Sequence, residues 1–314
     1  PLVSGATTVF REGAIDYPDP GVFYQIIEQY GVNVMFTAPT LLRMLMRYGE
    51  EYALGYDLKS LRFVTCAGEP LNPEALKWTY EFICGNGEWG HIVDNWWQTE
   101  TGGPCLGTPP TLAVKPGRVG RALPGAELDI VDREGQPITE PDKGGFLVIK
   151  KPFPHFYRTV FGDPDRQAND WNTIPGVYLT GDVALRDAEG YYMVVGRADD
   201  VLNVAGHRIG SAEVESALVS HSAVAEAAVI GKPDELRGEI IKGFVTLRMG
   251  EEPSEEMVNA LKLHVREELG PIAVPAELDF MPTLPKTRSG KIMRRLLKAN
   301  ELGLDPGDIT TLEE

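Results

Sequence analysis

From residue 20 to about residue 110, apolar positions recur alternately at helix and strand spacing. Val22, Phe23, Ile26, Ile27 and Tyr30 share one helical face, and Gly31 follows as a stop. Residues 32–36 form a short apolar run that predicts a strand. Thr40 offers an N-cap for a helix carrying Leu41, Leu42, Leu45 and Met46. Residues 61–66 predict a second strand, ending at Ala67-Gly68-Glu69-Pro70. Asn72, Pro73 and Glu74 supply a cap, a first-turn proline and an acid for the next helix. Ile92-Val93 closes the series. Strands separated by helices imply a parallel, doubly wound sheet that binds ligands past its strand C-termini.

From about 115 to 198 helical spacing disappears. Glycine and proline punctuate short apolar runs at 127–131, 146–150, 177–180, 183–186 and 191–195, with a turn at Asp187-Ala188-Glu189-Gly190. This predicts a small antiparallel, β-barrel-like unit. Alternation then resumes. Ser211 is placed to cap a helix bearing Val214, Ala217 and Leu218, and residues 224–230 and 240–247 predict strands. Ser254 is placed to cap a helix with Met257, Leu261, Val265 and Leu269, stopped by Gly270-Pro271. The predicted class is α/β with a small β-barrel-like unit, followed by a separate α+β C-terminal domain. The expected divisions are 1–198 (1–115 α/β, 116–198 β), a mobile domain at 199–298, and a tail at 299–314 without periodicity.

Composition narrows the function classes. The 314 residues carry a formal net charge of −16, 43% hydrophobic residues and a mean hydropathy of −0.17. An acidic balance argues against non-specific nucleic-acid binding and requires any phosphate site to be locally basic. No apolar run approaches the roughly 20 residues of a membrane span. Cys66, Cys84 and Cys105 are scattered, with no CxxC pair, which fits a reducing, cytoplasmic setting better than a disulfide framework. The chain opens on Pro1, in mid-pattern, and so reads as part of a longer product.

Five segments carry chemistry, each with a plain alternative. In Leu284-Pro285-Lys286-Thr287-Arg288-Ser289-Gly290-Lys291, a glycine lets backbone approach a ligand while Lys291 reaches it, and phosphate is the natural target. The alternative is a solvated helix start. Gly68 permits close approach of a flat ring, or marks an ordinary strand-to-helix turn. The segment Asp94-Asn95-Trp96-Trp97-Gln98-Thr99-Glu100-Thr101-Gly102-Gly103 is dense in polar groups. Its tryptophans wall a pocket or belong to the core, its hydroxyls suit a phosphate, and Glu100 suits magnesium. Asp182, after Gly181, suits two ribose hydroxyls, or sits in a surface turn. The charged run from Gly196 to Arg208 suits a hinge at a change of texture, or is a solvated turn.

Together, "GEP", "DNWWQTETGG", "YLTGD", "GRADDVLNVAGHRIG" and "PKTRSGKIMRR" resemble the AMP-forming acyl-CoA synthetases of the adenylate-forming superfamily, in that family's order. The resemblance runs from Gly5-Ala6-Thr7-Thr8 to about Lys298. It implies ATP or AMP binding by Gly68, Glu69, Pro70, Asp94, Asn95, Trp96, Trp97, Gln98 and Thr99, with Glu100 near a magnesium ion. Asp182 and Arg197 would hold the ribose, Arg208 the nucleotide phosphate, and Asp199 would be the hinge. Ala205, Gly206 and Arg266 would face CoA, although Ala205 replaces the serine often present there. Trp97 would floor an acyl pocket sized for acetate. His221, with carbonyls near Val219 and Val224, would hold a cation at a helix end, where a histidine also serves as a plain C-cap.

The implied reaction is acetate, ATP and CoA to acetyl-CoA, AMP and diphosphate, through acetyl-adenylate, with Lys291 acting in the first step. The family's Ser/Thr/Gly-rich loop for the β- and γ-phosphates is not found in these residues. That keeps two other readings open: an inactive or split part that associates with a separate N-terminal half, and a ligase for propionate or another short acid. In the split reading, some apolar surface should stay uncovered.

Overall fold

The structure is a computed structural model that describes residues 2–198, 200–205, 207–234, 237–248, 250–287, 292–307, 309–310 and 312, without the side chains of Leu2 and Arg208. By internal contacts the chain divides into two units. One is Pro1–Thr180 with Ala184–Val194; the other is Gly181–Val183 with Val195–Glu314.

In the first unit, α1 (Val22–Tyr30), β1 (Val34–Thr37), α2 (Pro39–Tyr48), α3 (Glu50–Leu54), β2 (Phe63–Cys66), α4 (Pro73–Trp78) and β3 (His91–Trp96) alternate as the periodicity predicts. β1, β2 and β3 pair in parallel, β4 (Leu106–Gly107) adds antiparallel to β3, and β5 (Arg121–Ala122) antiparallel to β4. Met35, Val64 and Ile92 on one sheet face meet Tyr24, Ile27, Leu42, Leu45 and Leu76 from the helices. Thr40 does not cap α2. Ala38 occupies the cap, and the Thr40 amide and hydroxyl are committed to Glu69 instead.

β6 (Leu128–Val131), β7 (Gly145–Ile149), β8 (Tyr178–Arg186) and β9 (Tyr192–Arg197) form a sheet ordered β6-β7-β8-β9, and α5 (Arg166–Asn172) precedes β8. The barrel expectation is corrected here. The order is open, and among the described residues no pairing joins β9 back to β6. The two runs expected at 177–180 and 183–186 are one strand. Gly181 continues it at φ +74°, which glycine adopts without steric cost.

In the second unit, β10 (Val201–Val204), β11 (His207–Gly210), α6 (Ser211–Ser220), β12 (Val224–Asp234), β13 (Gly238–Leu247), α7 (Glu255–Leu269), β14 (Glu277–Phe280) and α8 (Arg294–Leu302) follow in order. The sheet runs β11-β10-β13-β12, with β14 parallel to β13. The Ser254 hydroxyl caps α7 by accepting from the Met257 amide at 3.1 Å. Ser211 is the first residue of α6 rather than its cap, because Gly210 takes the extended cap position. The expected tail also begins later. Ala299–Leu302 complete α8, with Ala299 buried and Glu301 paired to Lys232 at 2.9 Å and Lys242 at 2.9 Å. Among the described residues, no helix is long and apolar enough to cross a membrane.

Candidate active site

The C-terminal ends of β2 and β3 place the first two motifs side by side. Cys66 lies opposite Asp94 in the parallel ladder, so residues 67–70 and 97–103 leave adjacent strands at the same end of the sheet. The Asn95 side-chain amide donates to the Cys66 carbonyl at 2.9 Å and ties the two strand ends. Its Oδ1 is buried with no protein partner. Gly68 has φ +102°, and a Cβ there would meet nothing within 4 Å. Open space over a backbone that only glycine readily adopts is what a flat ring needs. Glu69 accepts from the Thr40 amide at 2.7 Å, from the Thr40 hydroxyl, and from Arg43 at 3.0 Å. Pro70 is exposed beside it. Asp94 is buried, and desolvation pushes its carboxyl up to about 8, with the Asn95 amide pulling partly back.

The paired tryptophans separate. Trp96 packs against the core of the β6–β9 sheet, while Trp97 stays 39% exposed. The loop after them is braced from within. The Gln98 amide donates to the Thr101 hydroxyl at 3.0 Å, and that hydroxyl lies 2.9 Å from the Gly103 carbonyl. Gln98 also reaches β8. Its Nε2 donates to the Thr180 carbonyl at 2.8 Å, and its Oε1 accepts from the Tyr178 hydroxyl at 3.3 Å. Thr99 is exposed at the loop's tip. The first unit therefore gathers residues 68–70, 94–100 and 178–180. Sequence reasoning gave Thr40 only a capping role, took Tyr178 only as the first residue of the Asp182 segment, and missed Arg43. Only tertiary contact reveals Thr40 and Arg43 as the anchor of Glu69.

In the second unit, Arg197 Nη1 lies 3.8 Å from Asp182 Oδ1, with Asp182 buried and Arg197 half exposed. A Cβ on Gly181 would come within 2.6 Å of the Arg197 guanidinium, so the glycine makes room for that cation. The Gly181 carbonyl accepts from the Ala198 amide at 2.7 Å. Ala205 holds φ +49° in the turn between β10 and β11, an uncommon value for alanine, and its amide donates to the Arg237 carbonyl at 2.9 Å. Arg266 is exposed on α7. Arg208 lies on β11 opposite Asn203, and only its backbone is described. Asp199, Gly206 and Lys291 lie outside the described residues.

Two cation expectations fare differently. Glu100 keeps a half-buried carboxylate, 3.6 Å from Arg166. One protein carboxylate beside substrate phosphates is a common share of a magnesium shell, so this residue fits. At the end of α6, the His221 carbonyl accepts from the Val224 amide at 3.0 Å, and the Val224 carbonyl accepts from Arg248 Nε at 3.1 Å. The His221 ring takes the Ala223 amide at 3.2 Å. Val219 is also hydrogen-bonded or otherwise engaged. The Val224 carbonyl thus already faces a guanidinium, and His221 stands at the C-cap position of α6. Among the described residues, no cluster of three histidine, cysteine, aspartate or glutamate side chains could hold a metal. All three cysteines are free and buried.

A family model described as AMP-binding enzyme matches residues 1–156, and a model of the AMP-binding enzyme C-terminal domain matches residues 213–291. The chain belongs to the AMP-binding enzyme family. The acetyl-coenzyme A synthetase of Pyrobaculum aerophilum is 51% identical over 318 residues, which covers 100% of this chain and 47% of that protein. That of Methanothrix thermoacetophila is 50% identical, covering 99% of this chain and 48% of that protein. The chain thus spans about half the length of the curated relatives it matches. Among solved structures, the anthranilate CoA ligase AuaEII in complex with anthranoyl-AMP superposes with a TM-score of 0.71 at 29% identity, covering 95% of this chain and 54% of that one. This AMP-binding enzyme chain therefore shares the adenylate-forming fold.

Proposed function

We propose that this chain carries the nucleotide-binding and mobile-domain portion of an AMP-forming acetate–CoA ligase. The observation that carries the reading is its identity of about half to acetyl-coenzyme A synthetases along its whole length, together with two motif loops set side by side beyond β2 and β3. The substrates are ATP, acetate and CoA. An acetate oxygen attacks the α-phosphorus, and the bond to diphosphate breaks. The CoA sulfur then attacks the acyl carbon, its proton is lost, and AMP leaves.

In this reading the space above Gly68 takes the adenine, with Glu69, Pro70 and Asn95 around it and the Asn95 Oδ1 as acceptor. Burial favours the neutral form of Asp94, which lessens negative charge in the ring's surroundings. Thr99 meets the α-phosphate, Asp182 and Arg197 the ribose, and Arg208 a phosphate oxygen. A magnesium ion at Glu100 would neutralise phosphate charge. Trp97 floors the acyl pocket, and its exposed ring limits the acid to a short one. Ala205, Gly206 and Arg266 face CoA. Asp199 is the hinge about which the second unit turns between steps, and Lys291 donates to the charge that develops in the first step.

The test uses this chain fused behind the N-terminal half of the P. aerophilum synthetase. Lys291→Ala is expected to slow diphosphate release by on the order of 10²–10³ while leaving conversion of supplied acetyl-AMP and CoA intact. Equal loss in both half-reactions would sink the assignment.

A further inference from the structure

The loop after β2 is held by the helix after β1. Ala38 takes the N-cap position of α2 without a side-chain bond, and Pro39 brings no amide, so the Thr40 amide is a donor that the helix itself leaves unpaired. Glu69, 29 residues further along, supplies the missing cap. Its Oε1 accepts from that amide at 2.7 Å and from the Thr40 hydroxyl. Arg43, one turn along α2, closes the cluster. Its Nη2 donates to Glu69 Oε1 at 3.0 Å and to the Thr40 hydroxyl at 3.1 Å. Three donors thus meet one carboxylate oxygen at a helix start, where negative charge is favoured.

The rest of the loop is tied on both sides as well. The Ala67 amide donates to the Thr37 carbonyl at the end of β1, at 3.2 Å. The Cys66 carbonyl accepts from the Asn95 side chain of β3 at 2.9 Å. Pro70 disfavours helical backbone at Glu69. Between these fixed neighbours stands Gly68, at φ +102°, with nothing within 4 Å of where a Cβ would be. Glycine loses more conformational freedom on ordering than any other residue, so its direction depends on the ties around it.

Stability alone is a poor account of this cluster. The Glu69 side chain is 33% exposed and that of Arg43 26%, and an ion pair so open to solvent adds little to folding. What three converging donors supply is direction. They also occupy the oxygen. An amide, a hydroxyl and a guanidinium already fill the lone-pair sites of Oε1, which leaves that atom no site for a ligand donor.

We propose that Thr40 and Arg43 are positioning residues of the nucleotide site: through the Glu69 carboxylate they set the Gly68 backbone on which the adenine ring lies, and that carboxylate is a tether rather than a ligand contact. The inference rests on the placement of adenine over Gly68 proposed above. All these residues belong to the first unit. Neither Thr40 nor Arg43 touches the nucleotide. Each acts through Glu69.

The experiment titrates this chain with adenosine and with AMP and follows the Gly68 amide by nuclear magnetic resonance. Both ligands should shift that resonance in the parent. Arg43→Met is expected to weaken both by on the order of tenfold, the scale on which partners that hold a ligand-contacting group in place act, at a temperature where circular dichroism shows the variant folded. The loss should be equal for the two ligands, because the ring's support is displaced and the phosphate's is not. Arg43→Lys keeps a cation beside the carboxylate and should recover part of the affinity. In a Glu69→Ala background, Arg43→Met should add nothing, because the carboxylate it holds is gone. Thr40→Val removes only the hydroxyl and should show the same pattern at smaller size, which keeps the test available where Arg43→Met does not fold. A lowered melting temperature with parent affinity, a loss confined to AMP, no recovery by Arg43→Lys, or an equal loss with and without the Glu69 carboxylate would each overturn the inference. Failure of the parent to bind either ligand would overturn the placement of adenine itself. Binding by the parent, with Arg43→Met unchanged, would overturn the positioning role alone.

Discussion

On β12 the side-chain alternation sends Ala227 and Val229 into a core with Leu218 of α6 and Leu261 of α7. It sends Ala228 and Ile230 into a second core with Leu297 of α8. On β1 the same alternation sends Met35 into a helix-covered core but leaves Val34 56% and Phe36 65% exposed. Both strands are apolar. What differs is how many faces find a partner within this chain. The second unit covers both faces of β12, itself an end strand, and even the buried Lys242 of β13 is neutralised, by Asp279 at 2.8 Å and Glu301 at 2.9 Å. The first unit covers one face of β1. Uncovered apolar surface of the kind expected lies there, on the end strand beside β2.

If that contrast is right, a cavity in the second unit should be costly. Leu218 is fully buried, and Leu218→Ala should destabilise that unit by about 2–5 kcal/mol. Denaturant titration of the chain, followed by hydrogen exchange at β12 and β13, would read it. A loss under about 1 kcal/mol, within the range of ordinary surface changes, would mean the two-sided core is looser than its geometry.

Asp94 gives an effect that depends on pH, and it lies in the first unit. Its folded carboxyl is raised by burial from 3.8 to about 8. The folded state therefore holds a proton that the unfolded state releases above pH 3.8. Stability from this group is complete below pH 3.8 and falls as pH rises toward 8, by up to about 1.4 kcal/mol per pH unit, then levels off. Asp94→Asn removes the titration. The variant should gain on the parent steadily between pH 4 and pH 8, and a constant difference across that range would refute the buried-acid account.

The alternation of helix and strand was legible because each element carries its own period and its own stop. The side-by-side setting of Gly68 and Asp94 followed from it, since parallel strands deliver their following loops to one end. Partner choice was not legible. Thr40 has the chemistry of a helix cap, but Glu69, far along the chain, takes both its amide and its hydroxyl. The adjacent Trp96 and Trp97 look equivalent, yet Trp96, the last residue of β3, packs partly buried against a core while Trp97, just past the strand, stays exposed. Gly181 reads as a break between two runs. In the structure its positive φ carries one strand through and opens the space that Arg197 occupies. Arg294 reads as one more surface cation until α6 brings Glu215 against it. In each case the missing information was a contact across many residues, which periodicity does not encode.

The smallest effect sharpens the comparison most directly. Phe36 shares its open face with Val34 and with the half-buried Phe63 and Thr65 of β2, its ladder neighbours. β1 is also the end strand of its sheet, so its outer backbone groups have no strand partner in the order β1-β2-β3-β4-β5. Apolar side chains on an end strand favour association with another sheet edge. Phe36→Ser should therefore change folding stability by no more than about 0.5 kcal/mol, because little is buried to lose. It should nevertheless lower the self-associated fraction of the chain in sedimentation velocity at high concentration. A large destabilisation would show that Phe36 packs against something within the chain, and the contrast between the two sheets would then be one of degree only.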